Sequence, residues 1–265
     1  KIITILILYE TNFKKNMHEK TIEEAKKRLL GGQLVIFPTE TVYGIGGNAI
    51  NENAIKLIYQ VKKRPFDNPL ICHFANINEI EKNFTLQEKD YELANTFWPG
   101  PLTLILEKNK ESKITPLLSN NQNLVGCRIP NNEIAINLLS KIDFPIAAPS
   151  ANIATKTSVT SIKNLDNNLK KIFYIDGGAS VLGLESTVIQ TTIEGCKILR
   201  LGSLTIEEIK NKFSHYKIEI INSKVSPGNQ LKHYSPNKPV RINVKNINEN
   251  EALLNFGKNK LISNV

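Results

Sequence analysis

The chain has 265 residues, 41% of them hydrophobic, which is enough to bury one substantial core with an appendage. Lysine and arginine (34) outnumber aspartate and glutamate (25), and the net charge of +9 suits anionic ligands such as a nucleotide or RNA without choosing between them. Cys72, Cys127 and Cys196 form no CxxC pair and have no His at ligand spacing, so the sequence indicates neither a zinc site nor a disulfide framework. A reduced, cytoplasmic setting is therefore expected.

The first 16 residues are expected to lie outside the folded domain. Residues 1–8 contain an apolar run that lacks a small-residue cleavage site and is too short to span a bilayer, so we predict neither a signal peptide nor a membrane anchor. The only methionine, Met17, stands directly before the first predicted helix. We hypothesise that translation begins there, that residues 1–16 are a non-native or disordered extension, and that the main domain spans residues 17–215. N-terminal analysis of the native protein tests this start.

Capping signals and apolar periodicity predict helices along the chain. In the first helix, Thr21 and Glu24 form a capping box, and Gly31 and Gly32 end the helix. Further helices are predicted to begin at or near Asn51, Lys89, Asn132 and Thr205. Strands are predicted at residues 34–37, 70–74, 102–107, 144–147, 172–175, 187–191 and 197–199. This alternation predicts an α/β fold with a mixed sheet.

Two neighbouring motifs carry most of the functional information. In residues 37–44, FPTETVYG, a buried strand ends on two hydroxyls and a carboxylate. After one predicted helix, residues 62–70, KKRPFDNPL, form a cationic helix end that continues into a proline-fixed loop. Alone, the first is more often a strand running into a turn, and the second is usually a solvated charge run. Together they indicate a pocket for a nucleotide and a small substrate, with polar donors on one side and a positive field on the other.

A dinucleotide site is a competing interpretation of the same region. Residues 44–49, GIGGNA, imitate a dinucleotide fingerprint because they follow a strand and precede a helix, and Asp67 lies about twenty residues further on. The imitation fails because Asn51–Asn53 separate the glycines from the helix, and because Asp67 lies in a proline-bounded loop before the next strand. We therefore do not expect a nicotinamide enzyme.

Further blocks follow in a fixed order: WPGPLT (98–103), VGCRIP (125–130), APSAN (148–152), GLESTV (183–188), ILR (198–200), SPG (226–228) and HYSP (233–236). In order and spacing, these blocks and the two motifs resemble the L-threonylcarbamoyladenylate synthase family, the YrdC-domain proteins. The resemblance covers about residues 18–240. It implies a YrdC-like twisted mixed sheet flanked by helices, a linker at 216–238 that acts as a lid, and, at 239–265, the truncated start of a second α/β domain with strands at 239–243 and 251–257.

The resemblance also implies a reaction. L-Threonine, bicarbonate and ATP would condense to threonylcarbamoyl-AMP with release of pyrophosphate, and Mg²⁺ would bridge the phosphates. The intermediate would pass to the tRNA-modification machinery that acts on an adenosine beside the anticodon, with at most a weak direct contact to tRNA and no membrane partner. Such a reaction needs no covalent enzyme nucleophile, which agrees with blocks rich in Arg, Lys, Asn, Ser and Thr.

Carried over block by block, the resemblance assigns residues to two subsites. ATP would be bound by Lys62, Arg64, Asn68, Ser150, Asn152, Ser158, Arg200 and Tyr234, of which Lys62 and Arg64 would be catalytic. L-Threonine would be bound by Thr41, His73, Arg128 and Ser186. The chain departs from the family pattern at Ala154-Thr155 and Leu201-Gly202, where Ser-Gly and Pro-Gly pairs are usual.

Two alternatives to an active enzyme stay open. One is a non-catalytic RNA-binding protein, supported by the net charge and by basic clusters at 26–28, 62–64 and 170–171, although no RNA-fold signature accompanies them. The other is an inactive, truncated copy of the family. An RNA-binding module predicts salt-sensitive tRNA binding that threonine does not affect, whereas the enzyme predicts pyrophosphate release that depends on threonine and bicarbonate.

Overall fold

The computed structural model describes residues 19–221, 239–242, 244, 246–248 and 250–253. The chain divides into two units, residues 1–234 and residues 235–265. The expected N-terminal extension, Met17 and most of the expected linker lie outside the described residues.

The first unit contains one mixed sheet, in which eleven strands are described. The strands are β1 (Val35–Phe37), β2 (Gly44–Asn48), β3 (Ile71–His73), β4 (Phe84–Thr85), β5 (Leu102–Lys108), β6 (Leu124–Arg128), β7 (Ile146–Ala147), β8 (Phe173–Tyr174), β9 (Thr187–Thr192), β10 (Gly195–Arg200) and β11 (Lys217–Ile220). Their spatial order is β11-β10-β9-β5-β6-β3-β7-β2-β1-β8, with β4 paired to β5. Both parallel pairs, such as β3 with β6, and antiparallel pairs, such as β5 with β6, occur. The predicted α/β fold with a mixed sheet is confirmed.

Helices pack against this sheet. In the described residues they are α1 (19–30), α2 (Glu52–Lys62), α3 (Ile77–Glu81), α4 (Glu88–Phe97), α5 (Glu133–Ser140) and α6 (Ile206–Lys212), with short 3-10 turns at Pro116–Ser119 and Ile162–Asn164. Ile22 and Leu29 of α1 and Leu138 of α5 share one buried cluster with Phe37 of β1. The larger cluster includes Ile55 and Ile58 of α2. No helix within the described part of the chain is long and apolar enough to cross a membrane.

The predicted helix caps are confirmed in α2 and α6 but wrong in α1. The Asn51 side chain accepts hydrogen bonds from the N–H groups of Asn53 and Ala54, and Thr205 and Glu208 form a capping box. Residues 19 and 20 are already helical, so Thr21 lies inside α1 and cannot cap it. A Ser/Thr-x-x-Glu pattern within a helical turn looks the same in sequence as one at its start, which explains the error.

The end of α2 places the KKRP motif. The helix ends at Lys62, and Lys63 adopts a left-handed conformation with φ of 52°. Lys63 therefore turns the chain before Pro65, and the Arg64 N–H bonds back to the Tyr59 carbonyl at 2.9 Å. The buried Lys62 and the half-buried Arg64 consequently leave the helix in different directions.

Strand β2 is the main element that the sequence does not predict. Its sequence, GIGGN, has low strand propensity, yet all five residues are buried between β1 and β7. A Cβ atom at Gly46 would lie 2.5 Å from Ile146 Cγ2 and 2.8 Å from Phe37 Cε1, so this strand position accepts only glycine without a shift. The glycines that imitate a dinucleotide fingerprint thus allow close strand packing.

Other unpredicted elements are α3, β4, β6 and β11. Strand β11, at residues 217–220, lies inside the range expected for the linker and pairs with β10, so the sheet extends further along the chain than expected. Strands were expected at 239–243 and 251–257, but residues 243 and 254–257 lie outside the described residues, so these expectations stay predictions. Among the described residues of the second unit, Arg241 and Glu251 form an ion pair, in which Arg241 Nε donates to Glu251 Oε1 at 2.7 Å.

Candidate active site

An open cleft lies over the sheet where β3 and β6 end. Ile71 and His73 share one face of β3, and Arg128 at the end of β6 lies beside His73 in register. The cleft contains about 580 Å³ of empty space. Seven of the residues assigned by the resemblance line it, namely Thr41, Arg64, His73, Arg128, Ser150, Ser186 and Arg200.

Four further assigned residues are described and do not line the cleft. Lys62, Asn68, Asn152 and Ser158 each hydrogen-bond to a residue that does, so they form a second layer around it. Tyr234 lies outside the described residues.

Arg128 and the residues in contact with it form one group in the lining of the cleft, called here the Arg128 end. Arg128 is 4% exposed, and its Nε donates to the Gly100 carbonyl at 3.2 Å while its Nη1 donates to Thr41 Oγ1 at 2.8 Å. Its Nη2 lies 2.7 Å from Glu40 Oε1, so the two side chains form an ion pair. Burial lowers the pKa of the Arg128 guanidinium, and the Glu40 carboxylate opposes that shift. Arg128 is therefore a cation that three contacts hold in place.

The PTET loop after β1 orients Thr41 through a chain of hydroxyls. Thr39 Oγ1 donates to the Val42 carbonyl at 2.6 Å, and it lies 2.9 Å from Thr41 Oγ1. Because Thr39 uses its proton on Val42, the Thr41 hydroxyl is the donor between the two threonines, and Thr41 Oγ1 then accepts from Arg128. Thr39 also accepts from the Thr41 and Val42 N–H groups. The loop therefore presents Thr41 in one fixed orientation.

Ser186 lines the cleft and is hydrogen-bonded to Arg200. Its Oγ lies 2.7 Å from Thr103 Oγ1 and accepts from Arg200 Nη2 at 3.1 Å. Arg200 Nη2 also donates to the Ser186 carbonyl at 2.8 Å. Arg200 was assigned to ATP and Ser186 to threonine, so this contact lies where the two subsites would meet.

Arg64 and the turn that it holds, the NPL turn at residues 68–70, form a second group in the lining of the cleft, called here the Arg64 end. Its Nε donates to the Asn68 carbonyl at 3.0 Å and its Nη2 donates to the Pro69 carbonyl at 2.9 Å. A further bond runs from Nη2 to Asn68 Oδ1. Burial lowers the pKa of Arg64 to about 10, with a smaller contribution from the charge of Arg200, so Arg64 is cationic at neutral pH. The arginine pre-orients the turn and keeps its charge at the cleft.

Lys62 does not reach the cleft surface. It is 1% exposed, and its Nζ donates to the carbonyls of Ser150 and Asn152. Desolvation, followed by the charge of Arg64, lowers the pKa of this ammonium well below its usual value. These two bonds fix the SAN loop, residues 150–152. The sequence pattern at the end of a helix is the same for a buried lysine as for an exposed one, so it did not reveal that Lys62 is buried.

Asn152 is also used in loop structure. Its Nδ2 donates to the carbonyls of Ile153 and Lys156 at 2.9 and 2.8 Å, and its Oδ1 accepts from Ser150 Oγ. These bonds use both donors of the amide. Ser150, whose residue lines the cleft, is therefore positioned by Asn152.

Ser158 is hydrogen-bonded to Glu185, a residue of the cleft that the sequence analysis did not assign. Its hydroxyl donates to Glu185 Oε1, and Glu185 lines the cleft although it is 8% exposed. Its charge also acts on Lys62. The signal was present, since Glu185 directly precedes Ser186 in the GLESTV block, but an acidic residue did not fit the expected anion site.

His73 lies in a buried environment that favours the neutral imidazole. It is 5% exposed, packs its ring edge-on against Phe37 with centroids 5.8 Å apart, and has no partner for Nδ1 among the described residues. Burial and the neighbouring Arg128 charge lower the pKa of His73 to about 3. The imidazole can therefore offer hydrogen bonds to a ligand at neutral pH without adding charge.

Taken as a whole, the lining of the cleft favours anions. Arg64, Arg128 and Arg200 contribute three guanidinium groups, against the one carboxylate of Glu185. No cluster of three or more His, Cys, Asp or Glu suited to a metal ion occurs within the described ranges. The arrangement can align two or more anionic groups and neutralise their charge.

Comparison with known proteins identifies the family. The family model for Sua5, YciO and YrdC, which bears the description "Telomere recombination", matches residues 27–202, more than half of the chain. The chain belongs to this family.

Its relatives within the family include enzymes of one activity. The threonylcarbamoyl-AMP synthase of Pyrococcus abyssi is 40% identical over 248 residues, which cover 90% of this chain and 71% of the relative. That of Bacillus subtilis is 37% identical over 233 residues, covering 85% and 67%. The crystal structure of P. abyssi Sua5 in complex with L-threonine matches with a TM-score of 0.73 at 39% identity, over 81% of this chain and 65% of that one. The chain thus spans about two thirds of the length of these relatives.

A more distant structure shares the fold alone. E. coli YciO matches with a TM-score of 0.62 at 22% identity, over 69% of this chain and 89% of that one. The YrdC-like twisted sheet expected from the sequence is therefore confirmed.

Proposed function

We propose that this chain is an L-threonylcarbamoyl-AMP synthase, which condenses L-threonine, bicarbonate and ATP and releases pyrophosphate. The observation that carries the proposal is one cleft whose lining contains two differently built groups of residues. Thr41 is bonded to Arg128 and His73 lies beside Arg128 in register, and these three form the Arg128 end. Arg64 and Ser150 belong to the second group, the Arg64 end. Both named relatives described above carry this activity in their names.

The Arg128 end suits the amino acid. The guanidinium of Arg128 can donate to the threonine carboxylate, because its contacts with Gly100, Thr41 and Glu40 leave N–H protons unused. The Thr41 and Ser186 hydroxyls and the neutral His73 can bind the substrate hydroxyl, which discriminates against amino acids that lack one. The relative with the similar fold was crystallised with L-threonine, which supports this choice of substrate.

The Arg64 end suits the triphosphate. Two guanidinium groups, Arg64 and Arg200, and the Ser150 hydroxyl line this part of the cleft. Lys62, Asn68, Asn152 and Ser158 fix the loops that present these groups. We assign Lys62 a positioning role, with Arg64 as the cation that stabilises developing charge on the phosphates. Tyr234 stays an expected ATP ligand.

The chemistry follows from alignment and charge neutralisation. The threonine amine attacks bicarbonate, and loss of water gives a carbamate. A carbamate oxygen then attacks the α-phosphate, the bond to the β-phosphate oxygen breaks, and pyrophosphate leaves. No covalent bond to the enzyme is required, so the residues of the cleft only have to hold the carbamate and the α-phosphate in line.

The residues present fit a magnesium ion that arrives with ATP. Mg²⁺ is usually held by one or two carboxylates together with substrate phosphates, and Glu185 supplies a carboxylate to the lining of the cleft. We therefore take MgATP as the nucleotide substrate, in which the ion screens the charge of the phosphates. The product is expected to pass, in the cytoplasm, to the machinery that modifies tRNA, with at most a weak tRNA contact by this chain.

The experiment that tests the proposal is pyrophosphate release from ATP with each substrate omitted in turn. The synthase releases pyrophosphate only when threonine, bicarbonate and ATP are all present, and mass spectrometry detects threonylcarbamoyl-AMP. Tight, salt-sensitive tRNA binding without this activity would favour the RNA-binding alternative instead. If neither pyrophosphate release nor tRNA binding were found, the alternative of an inactive member of the family would be favoured.

A further inference from the structure

Glu40 is a buried carboxylate next to the site that the function proposed above leaves without a role. It belongs to the PTET loop, is 7% exposed, and places Oε1 2.7 Å from Arg128 Nη2. Arg128 is the only cation within ion-pair distance of Glu40 among the described residues. A buried charge of either sign is costly without its partner, so each member of this pair depends on the other.

Glu40 and Arg128 form a close ion pair, in which Glu40 Oε1 lies 2.7 Å from Arg128 Nη2. The carboxylate compensates the charge of Arg128 and opposes the lowering of the arginine pKa by burial. The Nε and Nη1 groups of Arg128 donate to Gly100 and Thr41. A guanidinium has five N–H groups, so the protons that these three contacts leave unused stay available to a substrate carboxylate.

The burial of both side chains keeps this interaction strong. Glu40 is 7% exposed and Arg128 is 4% exposed. Removal from water lowers the local dielectric constant, which strengthens the attraction between the two charges compared with an exposed pair. Glu40 also lines a groove whose walls are partly apolar, as at Phe97 and Pro99, and partly polar, as at Asn131 and Glu208.

We propose that Glu40 is a positioning and specificity-determining residue, which keeps the threonine end of the cleft from accepting an inorganic anion. This inference rests on the proposed function. The reaction brings a carboxylate, bicarbonate and a triphosphate into one cleft, and each anion has to occupy its own place. With Glu40 present, the charge of the Arg128 guanidinium is compensated, so Arg128 binds a ligand only through well-directed hydrogen bonds. Without the Glu40 carboxylate, the guanidinium is a buried charge with no counter-ion, and it binds any small anion.

Sulfate competition tests the proposal. The threonine KM and the ATP KM are measured for the wild type, Glu40→Gln, Glu40→Asp and the control Glu52→Gln while sulfate replaces chloride at constant ionic strength. Glu52 is a matched control because it forms an exposed ion pair with Lys56 on α2, away from the cleft. Glutamine removes the charge and keeps the shape, whereas aspartate keeps the charge.

In Glu40→Gln we expect sulfate to compete with threonine and to raise the threonine KM by about tenfold or more. The reason is that sulfate then meets a buried positive charge that no carboxylate compensates. The wild type, Glu40→Asp and Glu52→Gln should stay within about twofold, and sulfate should affect the ATP KM equally in all four proteins. A purely structural role of Glu40 would lower activity and stability without creating this competition. Sulfate competition with threonine in the wild type, or in Glu40→Asp as strongly as in Glu40→Gln, overturns the proposal.

A substrate-free measurement separates this proposal from the proposed function. Sulfate should raise the melting temperature of Glu40→Gln more than that of the wild type, and the extra shift should disappear in the double variant Glu40→Gln/Arg128→Ala. This arm needs no enzymatic activity, so it decides the role of Glu40 even if no pyrophosphate is released. Equal shifts in the wild type and Glu40→Gln contradict the inference. Should Glu40→Gln fail to fold, Glu40→Ala, which also removes the charge, replaces it in both arms of the test.

Discussion

Arg128 Nη1 donates to Thr41 Oγ1 at 2.8 Å, and this bond joins the end of β6 to the PTET loop across 87 residues of sequence. It fixes the guanidinium and the hydroxyl relative to each other before any ligand arrives. A site built in this way loses less freedom on binding than one assembled by the substrate. The bond therefore accounts for how two distant blocks act as one subsite.

Loss of the Thr41 hydroxyl should weaken the binding of threonine selectively. In Thr41→Val the shape is kept but Arg128 loses an acceptor, so we expect a threonine KM raised about tenfold and an ATP KM within about twofold. Thr41→Ser restores the hydroxyl and is the matched control. Steady-state kinetics with each substrate varied checks this, and equal rises in both KM values would place Thr41 outside the threonine subsite.

Replacement of Arg64 should affect turnover. Arg64→Ala removes a cation expected to stabilise charge on the phosphates, so we expect kcat to fall about a hundredfold or more. The Asn68 and Pro69 carbonyls also lose their donor, so the free energy of unfolding should fall as well. Arg64→Lys keeps the charge but loses the fork that bonds to Asn68 and Pro69, so its activity should lie between those of Arg64→Ala and the wild type. A well-folded Arg64→Ala variant with unaltered pyrophosphate release would refute the assignment.

Lys62 should matter for stability as well as for ATP. Lys62→Met keeps the length of the side chain but leaves the Ser150 and Asn152 carbonyls without their donor. We expect a loss of about 2 kcal/mol or more in the free energy of unfolding, together with a raised ATP KM because the SAN loop loses its support. Urea denaturation and kinetics check both effects. Lys56→Met, on the exposed side of the same helix, should change neither. A stable Lys62→Met variant that lost only activity would instead make Lys62 a direct ligand.

His73 should make the protein less stable in acid. Its pKa is lowered from 6.5 to about 3 in the folded chain, so between these values the unfolded chain binds a proton that the native state does not. Stability attributable to His73 therefore falls as the pH drops below about 6.5, by at most about 1.4 kcal/mol per pH unit. Comparing the free energy of unfolding of the wild type and His73→Gln from pH 7 to pH 4 checks this. The difference between them should change with pH in that direction, and a constant difference would show that the pKa of His73 is the same in the native and the unfolded chain.

The sequence predicted the parts of the fold that depend on local signals. Asn51 and Thr205 were identified as caps because their side chains bond to backbone groups within the same turn. Strand β2 could not be predicted in this way. Glycine is unfavourable in a strand taken alone. Gly46 is required because a side chain there would collide with Ile146, which is distant in sequence, and with Phe37 of the neighbouring strand.

The candidate site shows the same division. The blocks identified Arg64, Arg128 and Ser186, which line the cleft. They did not distinguish residues that face the cleft from those that support it, because Lys62 and Arg64 are two positions apart in one motif and only the turn at Lys63 separates their directions. Glu40 and Glu185 were not assigned, since their roles depend on the distant residues Arg128 and Ser158.

The central claim is that one cleft holds threonine at the Arg128 end and ATP at the Arg64 end. The most direct measurement is the pair of KM values for threonine and ATP in Arg128→Ala. The account predicts a threonine KM raised at least about tenfold and an ATP KM within about twofold of the wild type, because only the carboxylate loses its partner. Equal weakening of both substrates, or a selective loss of ATP, would contradict the assignment of the two ends.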